Sequence, residues 1–296
     1  MTLDDNQNGN GKSPVELMSA LERGEIQPYF QPKVDLRTAR VIGIEALARW
    51  DDSERGLMAA AEFLGRAEAD GQMRALTERI IDSSIRAAGD WWRSGLALQL
   101  SVNLSASIFS EIEWRLDRFV AKALAQAGLP GKALQFEVTE DALVTGADST
   151  TKALGKLASL GATVSIDDFG TGHFSFRQLM SLPIEELKID RSLILGLEGE
   201  QDRAIVRSAI HVAHQMGLQV VAEGVETEET WRQLRRMGAE RAQGFLIAKP
   251  MAAREVPAWL AAWNQRAREL SSTKRVQRRS KAFAKKLPTR PAEAAV

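Results

Sequence analysis

Residues 162–172 read Ala-Thr-Val-Ser-Ile-Asp-Asp-Phe-Gly-Thr-Gly, an apolar run followed by two adjacent carboxylates and a glycine-containing loop. The β-branched residues of the run predict a buried β-strand. Because successive side chains of a strand point to opposite faces, Asp167 and Asp168 can converge only where the strand ends and the backbone turns. Such a pair suits one divalent cation, or two cations bridged by a shared carboxylate. Asp and Gly are also ordinary turn residues, so this stretch alone leaves a strand cap as an equal alternative.

The composition of the 296-residue chain indicates a protein with a large core, since 44% of its residues are hydrophobic. This length fits two domains, or one α/β barrel of roughly 250 residues with extensions. The absence of cysteine excludes disulfides and thiolate metal sites. The amino terminus lacks the pattern of a signal peptide, and no stretch approaches the ~20 apolar residues of a membrane span. We therefore expect a soluble, cytoplasmic protein.

Charge is distributed unevenly along the chain. Residues 272–296 carry eight basic residues and one acidic residue, out of 39 of each in the whole chain. We therefore predict a disordered polar leader over residues 1–13, a catalytic barrel over 14–268 and a disordered basic tail over 269–296. The tail could bind an anionic partner weakly, such as nucleic acid or anionic lipid. The favoured alternative is a solvated tail without a partner.

Eight β-type runs alternate with helical patterns and predict a (β/α)8 TIM-like barrel. Apolar residues spaced three and four apart mark the helices, for example within 109–124 and 205–216. Five helical patterns end at a glycine just before the next strand, a position that favours the left-handed conformation: Gly95, Gly128, Gly161, Gly217 and Gly238. The predicted strands are 29–34, 41–46, 96–104, 133–139, 162–168, 186–190, 219–223 and 242–247.

The first two strands break this alternation. Only residues 35–40 separate them, whereas a parallel crossover needs about a dozen residues. We therefore predict an antiparallel first strand, paired as a hairpin with the second, within an otherwise parallel barrel. A doubly wound open sheet is the alternative fold.

Polar side chains recur where the predicted strands end, which is where barrel active sites are built. A single carboxylate in such a place is usually a loop residue, but loop composition does not account for the same placement on six strands. The residues on these six strands are Glu45, Asn103, Glu137, Glu140, Asp167, Asp168, Lys188, Asp190 and Glu223, and Gln243 stands at the start of the eighth predicted strand.

Carboxylates with an amide oxygen, and no Cys or His, favour Mg²⁺ or Mn²⁺. Without a cation, their mutual repulsion would raise some carboxylate pKa values. Two cations about 4 Å apart suit in-line attack of water on a phosphodiester. Lys188 could orient that water or neutralise a phosphate oxygen. A structural ion pair with Asp190 or another acid of the rim is an equal alternative for Lys188.

The chain resembles the EAL-domain cyclic di-GMP phosphodiesterases in a set of motifs that occur in family order over residues 14–262. The name-giving motif is Glu45-Ala46-Leu47-Ala48-Arg49-Trp50. The others are Gln31-Pro32, Val102-Asn103-Leu104-Ser105, Glu137-Val138-Thr139-Glu140, Asp167-Asp168-Phe169-Gly170-Thr171-Gly172, Leu187-Lys188-Ile189-Asp190, Ala222-Glu223-Gly224-Val225-Glu226-Thr227 and Gln243-Gly244-Phe245.

This resemblance implies hydrolysis of cyclic di-GMP to linear pGpG in bacterial second-messenger signalling, of the kind that governs biofilm formation. It implies dependence on Mg²⁺ or Mn²⁺, with two ions bound, and a homodimer. One cation would be held by Glu45, Asn103, Glu137 and Asp167, and the second by Asp167, Asp168 and Glu223. By the same resemblance, Lys188 would position the attacking water and Glu140 would anchor the loop after Asp168. These two residues, with Asp168 and Glu223, form the predicted catalytic set.

The resemblance also predicts the substrate contacts. Leu47 and Arg49 would contact a phosphate, and Phe245 could stack on a guanine, although packing within the barrel is an alternative for Phe245. The remaining predicted substrate-binding residues are Gln31, Asp190, Glu226 and Gln243.

One segment departs from the family pattern. His173-Phe174-Ser175-Phe176 stands where the family usually has Tyr-Ser-Ser-Leu. The ligand positions are unchanged, so we expect activity to survive while the conformation of this loop and its coupling to a dimer change. The main alternative function is a catalytically silent cyclic di-GMP receptor that acts through a partner protein. A barrel enzyme for another phosphorylated metabolite is the third hypothesis.

Overall fold

A closed barrel forms the centre of the protein in the computed structural model, which describes residues 14–110, 114–145, 147–170 and 182–271. Its strands are β1 (Ile26–Asp35), β2 (Val41–Asp52), β3 (Gly56–Ala59), β4 (Gln99–Leu104), β5 (Leu134–Thr139), β6 (Thr163–Phe169), β7 (Ile184–Ile189), β8 (Gln219–Ala222), β9 (Arg241–Ala242) and β10 (Met251–Ala252). Eight of them close the barrel in the order β1-β9-β8-β7-β6-β5-β4-β2, and β2 pairs with β1 again. This closure confirms the barrel and excludes the open sheet.

The first strand is antiparallel to both of its neighbours in the barrel, as predicted. Strand β1 pairs with β2 in a register that places Gln31 opposite Glu45, and with β9 at Val34 and Asp35. The hairpin turn is closed by Asp35, whose Oδ1 accepts a hydrogen bond from the backbone N–H of Thr38 at 2.6 Å. All the other barrel pairings are parallel.

The final predicted strand, 242–247, is wrong in its extent. Only Arg241–Ala242 pairs in the barrel, because the chain then turns away to bond with the loop after β8. The N–H of Val225 donates to the carbonyl of Gln243 at 3.0 Å, and the N–H of Leu246 donates to that of Val225 at 3.0 Å. Two further strands lie outside the predicted set. Strand β3 pairs with the extension of β2, and β10 pairs with the first half of β1.

Helices surround the barrel. They are α1 (Pro14–Arg23), α2 (Leu64–Ala69), α3 (Met73–Arg93), α4 (Leu116–Ala127), α5 (Glu140–Thr145), α6 (Ala147–Ser159), α7 (Arg191–Leu195), α8 (Glu200–Gln215), α9 (Glu228–Met237) and α10 (Val256–Ser271). The five glycines predicted to end helices all have positive φ, between 70° and 97°. Helix α10 extends three residues into the segment predicted as tail. In the part of the chain that the structure describes, no helix is long and apolar enough to cross a membrane.

The alternation of side chains along the strands separates an apolar layer from a polar barrel interior. On β4, Leu100, Val102 and Leu104 are buried in the core cluster that also contains residues of α3 and α4. The intervening Ser101 lies with polar neighbours inside the barrel, where its Oγ contacts Gln135 Oε1 at 2.7 Å. Most hydrophobic burial therefore lies between the barrel and its helices, and the interior is free to carry polar side chains up to the rim.

Candidate active site

Five carboxylates of the described residues gather at the carboxyl ends of the parallel strands, around the ammonium group of Lys188. Strand β2 supplies Glu45, β5 supplies Glu137, β6 supplies Asp167 and Asp168, and Glu223 follows β8. The Nζ of Lys188 lies 2.7 Å from Glu137 Oε2, 2.8 Å from Glu223 Oε1, 3.1 Å from Asp167 Oδ1 and 3.5 Å from Glu45 Oε2. Of the alternatives for Lys188, the ion pair therefore exists, and it is made with four acids of the rim.

The adjacent aspartates converge because the backbone turns at the end of β6. Asp168 has a φ of 56°, which is uncommon for a residue with a side chain. Its N–H donates to Asp167 Oδ1 at 3.0 Å, and the pairing of β6 with β7 is irregular between Ile166 and Phe169. The turn expected from the sequence is present, and it brings both carboxylates into the cluster.

The donor atoms fit divalent cations. Glu45, Glu137 and Asp167 place carboxylate oxygens within 4.8 Å of one another, and so do Asp167, Asp168 and Glu223. The two groups share Asp167. Hard oxygen donors in two overlapping sets are the chemistry that Mg²⁺ and Mn²⁺ prefer.

Electrostatic repulsion and burial perturb the acids of this cluster. Burial and the charge of Glu137 raise the pKa of Glu45 to about 7, and burial and Asp167 raise the pKa of Glu223 to about 8. Burial and the same neighbouring aspartate raise the pKa of Asp168 to about 6. Glu137 differs: despite its burial, the charges of Lys188 and Lys33 lower its pKa to about 2. The protein without a cation therefore retains a proton on Glu223, and in part on Glu45, near neutral pH.

These shifts predict how the stability of the metal-free protein depends on pH. Glu45 and Glu223 have folded-state pKa values above the ordinary 4.5, so the folded protein binds more protons than the unfolded chain between about pH 5 and 8. We expect the melting temperature in EDTA to fall as the pH rises through this range. Differential scanning calorimetry measures it, and Glu223→Gln should make the curve flatter. A wild-type melting temperature that rises over the same range would contradict the expectation.

Amide side chains hold Glu45 in place at the rim. Asn103 Nδ2 donates to Glu45 Oε1 at 2.7 Å, and Gln243 Nε2 donates to Glu45 Oε2 at 2.7 Å. Gln243 Nε2 also contacts Gln31 Oε1 at 3.0 Å, and Gln31 donates to the carbonyl of Ala248 at 2.9 Å. Strands β1, β2 and β4 and the turn after β9 are thereby tied to one carboxylate.

A cavity of about 390 Å³ opens over the cluster. It brings together ten of the predicted site residues: Gln31, Glu45, Leu47, Arg49, Asn103, Asp167, Glu223, Glu226, Gln243 and Phe245. Arg191 also lines it and was not predicted, since its position at the start of a helix gave no signal in the sequence. Its Nη2 bonds to Glu226 Oε1 at 2.8 Å, and its guanidinium lies 5.7 Å from the ring centroid of Phe245.

Five of the predicted site residues are not among the described residues that line this cavity: Glu137 and Lys188, which lie in the cluster, and Asp190, Glu140 and Asp168. Asp190 caps α7 by accepting a hydrogen bond from the N–H of Ser192 at 2.9 Å, and it is not among the described residues that line the cavity. Glu140 Oε2 accepts a hydrogen bond from the N–H of Gly170 at 3.4 Å. Asp168 lines a second cavity of about 440 Å³, whose wall shares Leu47, Asn103 and Asp167 with the first. The segment with His173–Phe176 lies outside the described residues.

A polar layer below the rim was missed by the sequence analysis. It contains Lys33, Ser101, Gln135, Glu186 and Arg241, with Lys33 and Glu186 only 1% exposed. A signal existed, because Ser101, Gln135 and Glu186 each stand two residues before a predicted rim residue and must share its face. Lys33 carries the same signal in reverse order, because it stands two residues after Gln31 in a strand predicted to be antiparallel.

Gly244 is a position of the cavity wall where a side chain cannot be accommodated. Its φ is 155°, and a Cβ there would lie 2.3 Å from both the backbone N and O of Val225. We expect Gly244→Ala to destabilise the protein by more than about 1 kcal/mol and to raise the KM for its substrate by displacing Gln243 and Phe245. Denaturant unfolding and steady-state kinetics measure the two effects. Gly155→Ala, in an exposed helical position with open space around it, is the control and should not destabilise. Equal stabilities of the two variants would contradict this expectation.

Comparison with known proteins identifies the class that this fold and this site define. The family model of the EAL domain matches residues 15–250, so the chain belongs to the EAL domain family. The chain is 37% identical over 265 residues to MucR of Pseudomonas aeruginosa, named as a bifunctional diguanylate cyclase/cyclic di-GMP phosphodiesterase, with 88% of this chain and 38% of MucR covered. It is 34% identical over 235 residues to the cyclic di-GMP phosphodiesterase PA2567 of the same organism, covering 78% and 39% of the two chains.

Solved structures agree with this membership. The structure described as PaMucR phosphodiesterase in complex with c-di-GMP has a TM-score of 0.78 and 38% identity, covering 82% of this chain and 98% of the other. The EAL enzyme Bd1971, bound to cAMP and cyclic di-GMP, has a TM-score of 0.78 and 28% identity, covering 83% and 68%. This chain spans 29% to 41% of the length of the curated relatives compared with it.

Proposed function

We propose that this protein hydrolyses cyclic di-GMP to linear pGpG, with two divalent cations, Mg²⁺ or Mn²⁺, held by the acidic cluster. The observation that carries the proposal is the convergence of all five carboxylates and Lys188 at one rim of an EAL-family barrel. The names of the relatives MucR and PA2567 support it, because both are called cyclic di-GMP phosphodiesterases.

The proposed cation ligands follow the two groups of donors. Glu45, Asn103, Glu137 and Asp167 would hold one ion, and Asp167, Asp168 and Glu223 would hold the other. Bound there, the ions would supply Lewis-acid activation of the attacking water and compensate charge on the phosphate. Asn103 donates its amide N–H to Glu45, which leaves its side-chain oxygen available as a ligand.

The residues around the cations are proposed to bind and orient the substrate. The guanidinium of Arg49 is about half-buried and lines the cavity beside Leu47, where both would contact a phosphate. Phe245 is 48% exposed and would stack on a guanine, with Gln31, Glu226 and Gln243 around it. Lys188 would orient the attacking water, and Glu140 would hold the turn after Asp168 through its contact with Gly170. Asp190, whose side chain caps α7, is also proposed to contact the substrate.

The shared wall of the two cavities supports a substrate with two nucleoside halves. They meet at Leu47, Asn103 and Asp167, so a ligand lying across both would place its central phosphates over the acidic cluster. The second cavity is lined largely by apolar side chains of β2, α2 and α3, which suits the face of a base.

The test is incubation of purified protein with cyclic di-GMP and Mg²⁺ or Mn²⁺, with chromatographic detection of pGpG and a parallel reaction in EDTA. Metal-dependent pGpG is the expected result. Binding of cyclic di-GMP without turnover would favour the silent receptor acting through a partner, and absence of binding would favour a different phosphorylated substrate.

Homodimerisation, cytoplasmic location and the division into leader, barrel and tail also belong to this proposal. Sedimentation velocity with and without cyclic di-GMP tests the dimer. Binding to anionic lipid vesicles, compared between the full chain and one that ends at residue 271, tests the weak anionic partner of the tail.

Removal of residues 272–296 should leave turnover unchanged in solution. The basis is that every described residue of the cluster and of the cavity wall precedes residue 272. Steady-state kinetics of the truncated and full chains at equal Mn²⁺ concentration provide the measurement. A loss of turnover on truncation would show that the tail belongs to the catalytic unit.

A further inference from the structure

A second lysine lies inside the barrel, directly below the acidic cluster. Lys33 belongs to the antiparallel strand β1 and is 1% exposed. Its Nζ lies 2.6 Å from Gln135 Oε1, 2.7 Å from Ser101 Oγ, 3.0 Å from Glu186 Oε1 and 3.1 Å from Glu137 Oε1. Three of these four contacts are made in the layer below the rim, and the fourth reaches up to the cluster.

The two lysines bind different oxygens of the Glu137 carboxylate. Lys33 binds Oε1 from below at 3.1 Å, and Lys188 binds Oε2 at 2.7 Å. Glu137 is fully buried, so its carboxylate has little room to rotate. Each of its two oxygens therefore has a separate cationic partner.

The two partners differ in their surroundings, although both lysines are 1% exposed. Lys188 is shared among four carboxylates of the rim and borders the site of a cation. Lys33 is retained below by Glu186, whose other oxygen pairs with Arg241. None of Ser101, Gln135 and Glu186 is among the described residues that line the cavity. A cation that binds Glu137 can displace Lys188 from Oε2, whereas Lys33 stays on Oε1.

We propose that Lys33 is a positioning residue that leaves Glu137 a single oxygen for a cation and thereby disfavours Ca²⁺ relative to Mg²⁺. This inference rests on the proposed function only in taking Glu137 as a ligand. Mg²⁺ requires compact octahedral coordination, whereas Ca²⁺ accepts 6–8 oxygens and commonly takes a carboxylate through both. Blocking one oxygen therefore costs Ca²⁺ a ligand that Mg²⁺ does not use.

The test compares cation affinities in the absence of substrate. Lys33→Met removes the contact with Glu137. Lys33→Met combined with Glu186→Gln also removes the carboxylate charge of Glu186, which would otherwise keep only Arg241 as a cationic partner. Calorimetry at one pH gives the affinities for Mg²⁺ and Ca²⁺. Losing a positive charge should raise both affinities alike, so the ratio of the two isolates the effect of the freed oxygen. We expect the ratio of Ca²⁺ to Mg²⁺ affinity to rise on the order of tenfold.

Glu186→Gln alone is the matched control, since it leaves Lys33 able to donate to Glu137 and should leave the ratio unchanged. An unchanged ratio in a Lys33 variant with a native circular dichroism spectrum would overturn the inference. So would cation binding in the wild type that survives Glu137→Gln, or no binding at all. The pGpG assay on the same wild-type sample judges the proposed function separately. A shifted ratio without pGpG would reject that function and keep the role of Lys33.

Discussion

Glu45→Ala, and separately Asp167→Asn, should reduce hydrolysis of cyclic di-GMP on the order of 10³-fold, because Lewis-acid stabilisation by a bound ion is worth several kcal/mol and each 1.36 kcal/mol is a factor of ten. Asp167 belongs to both donor groups, and Glu45 accepts hydrogen bonds from two amide side chains, those of Asn103 and Gln243. Initial rates of pGpG formation at saturating Mn²⁺ measure the effect.

Stability separates this loss from unfolding. Asp167→Asn removes negative charge from a cluster whose acids repel one another, so its melting temperature in EDTA should not fall. Glu45→Ala takes away the shared acceptor of Asn103 and Gln243, so its melting temperature should fall, but its circular dichroism spectrum should remain native. Glu185→Ala is the matched control: Glu185 is an exposed carboxylate on β7, outside the cluster. It should retain the wild-type rate. Full activity in either Glu45→Ala or Asp167→Asn would refute the proposed ligands.

Lys188→Met should lower the stability of the protein more than Glu45→Ala or Asp167→Asn does. We expect this loss only when divalent cations are removed. The ammonium group is the shared partner of Glu137, Glu223, Asp167 and Glu45. Breaking a buried ion pair by removing one partner costs about 3–5 kcal/mol, which corresponds to a fall in melting temperature on the order of 10 °C. Scanning calorimetry in EDTA measures this fall.

Saturating Mg²⁺ should restore most of the stability of Lys188→Met, because a cation compensates the same carboxylates and binds the folded state alone. Turnover should stay low, since the proposed orientation of water by Lys188 is lost. Lys122→Met, which changes an exposed lysine of α4, should alter neither quantity. A melting temperature in EDTA equal to that of the wild type would show that the four acids do not depend on Lys188.

Local physical chemistry explains how much of the fold was predictable. The hairpin followed from six residues between two strands, too few for a parallel crossover, and the five helix-ending glycines adopt the positive φ expected of them. The extent of the last strand was not predictable, because residues 243–246 bond to the loop at Val225 instead of continuing a ladder. That partner is distant in sequence, and no local pattern specifies it.

The candidate site was likewise predictable only in part. The rim carboxylates were predictable because each stands at or near the carboxyl end of a predicted strand, and the strands of a barrel deliver these ends to one place. The partners of Lys33 were not, since its four contacts come from β4, β5 and β7, 68 to 153 residues away in the chain. Which acids share a lysine depends on the register at which the barrel closes. The sequence does not state that register.

The reversed direction of β1 gives the barrel an unusual mechanical arrangement. Because this strand runs against its neighbours, the chain passes from α1 into the barrel at the rim that carries the acidic cluster. Only Gly24 and Glu25 separate the helix from the strand, and Gln31 follows, tied through Gln243 to Glu45. A displacement of α1 would therefore be transmitted to Glu45 through Gln31 and Gln243. Strand β1 therefore connects α1 directly to the rim, and Lys33 lies on the same strand below the rim.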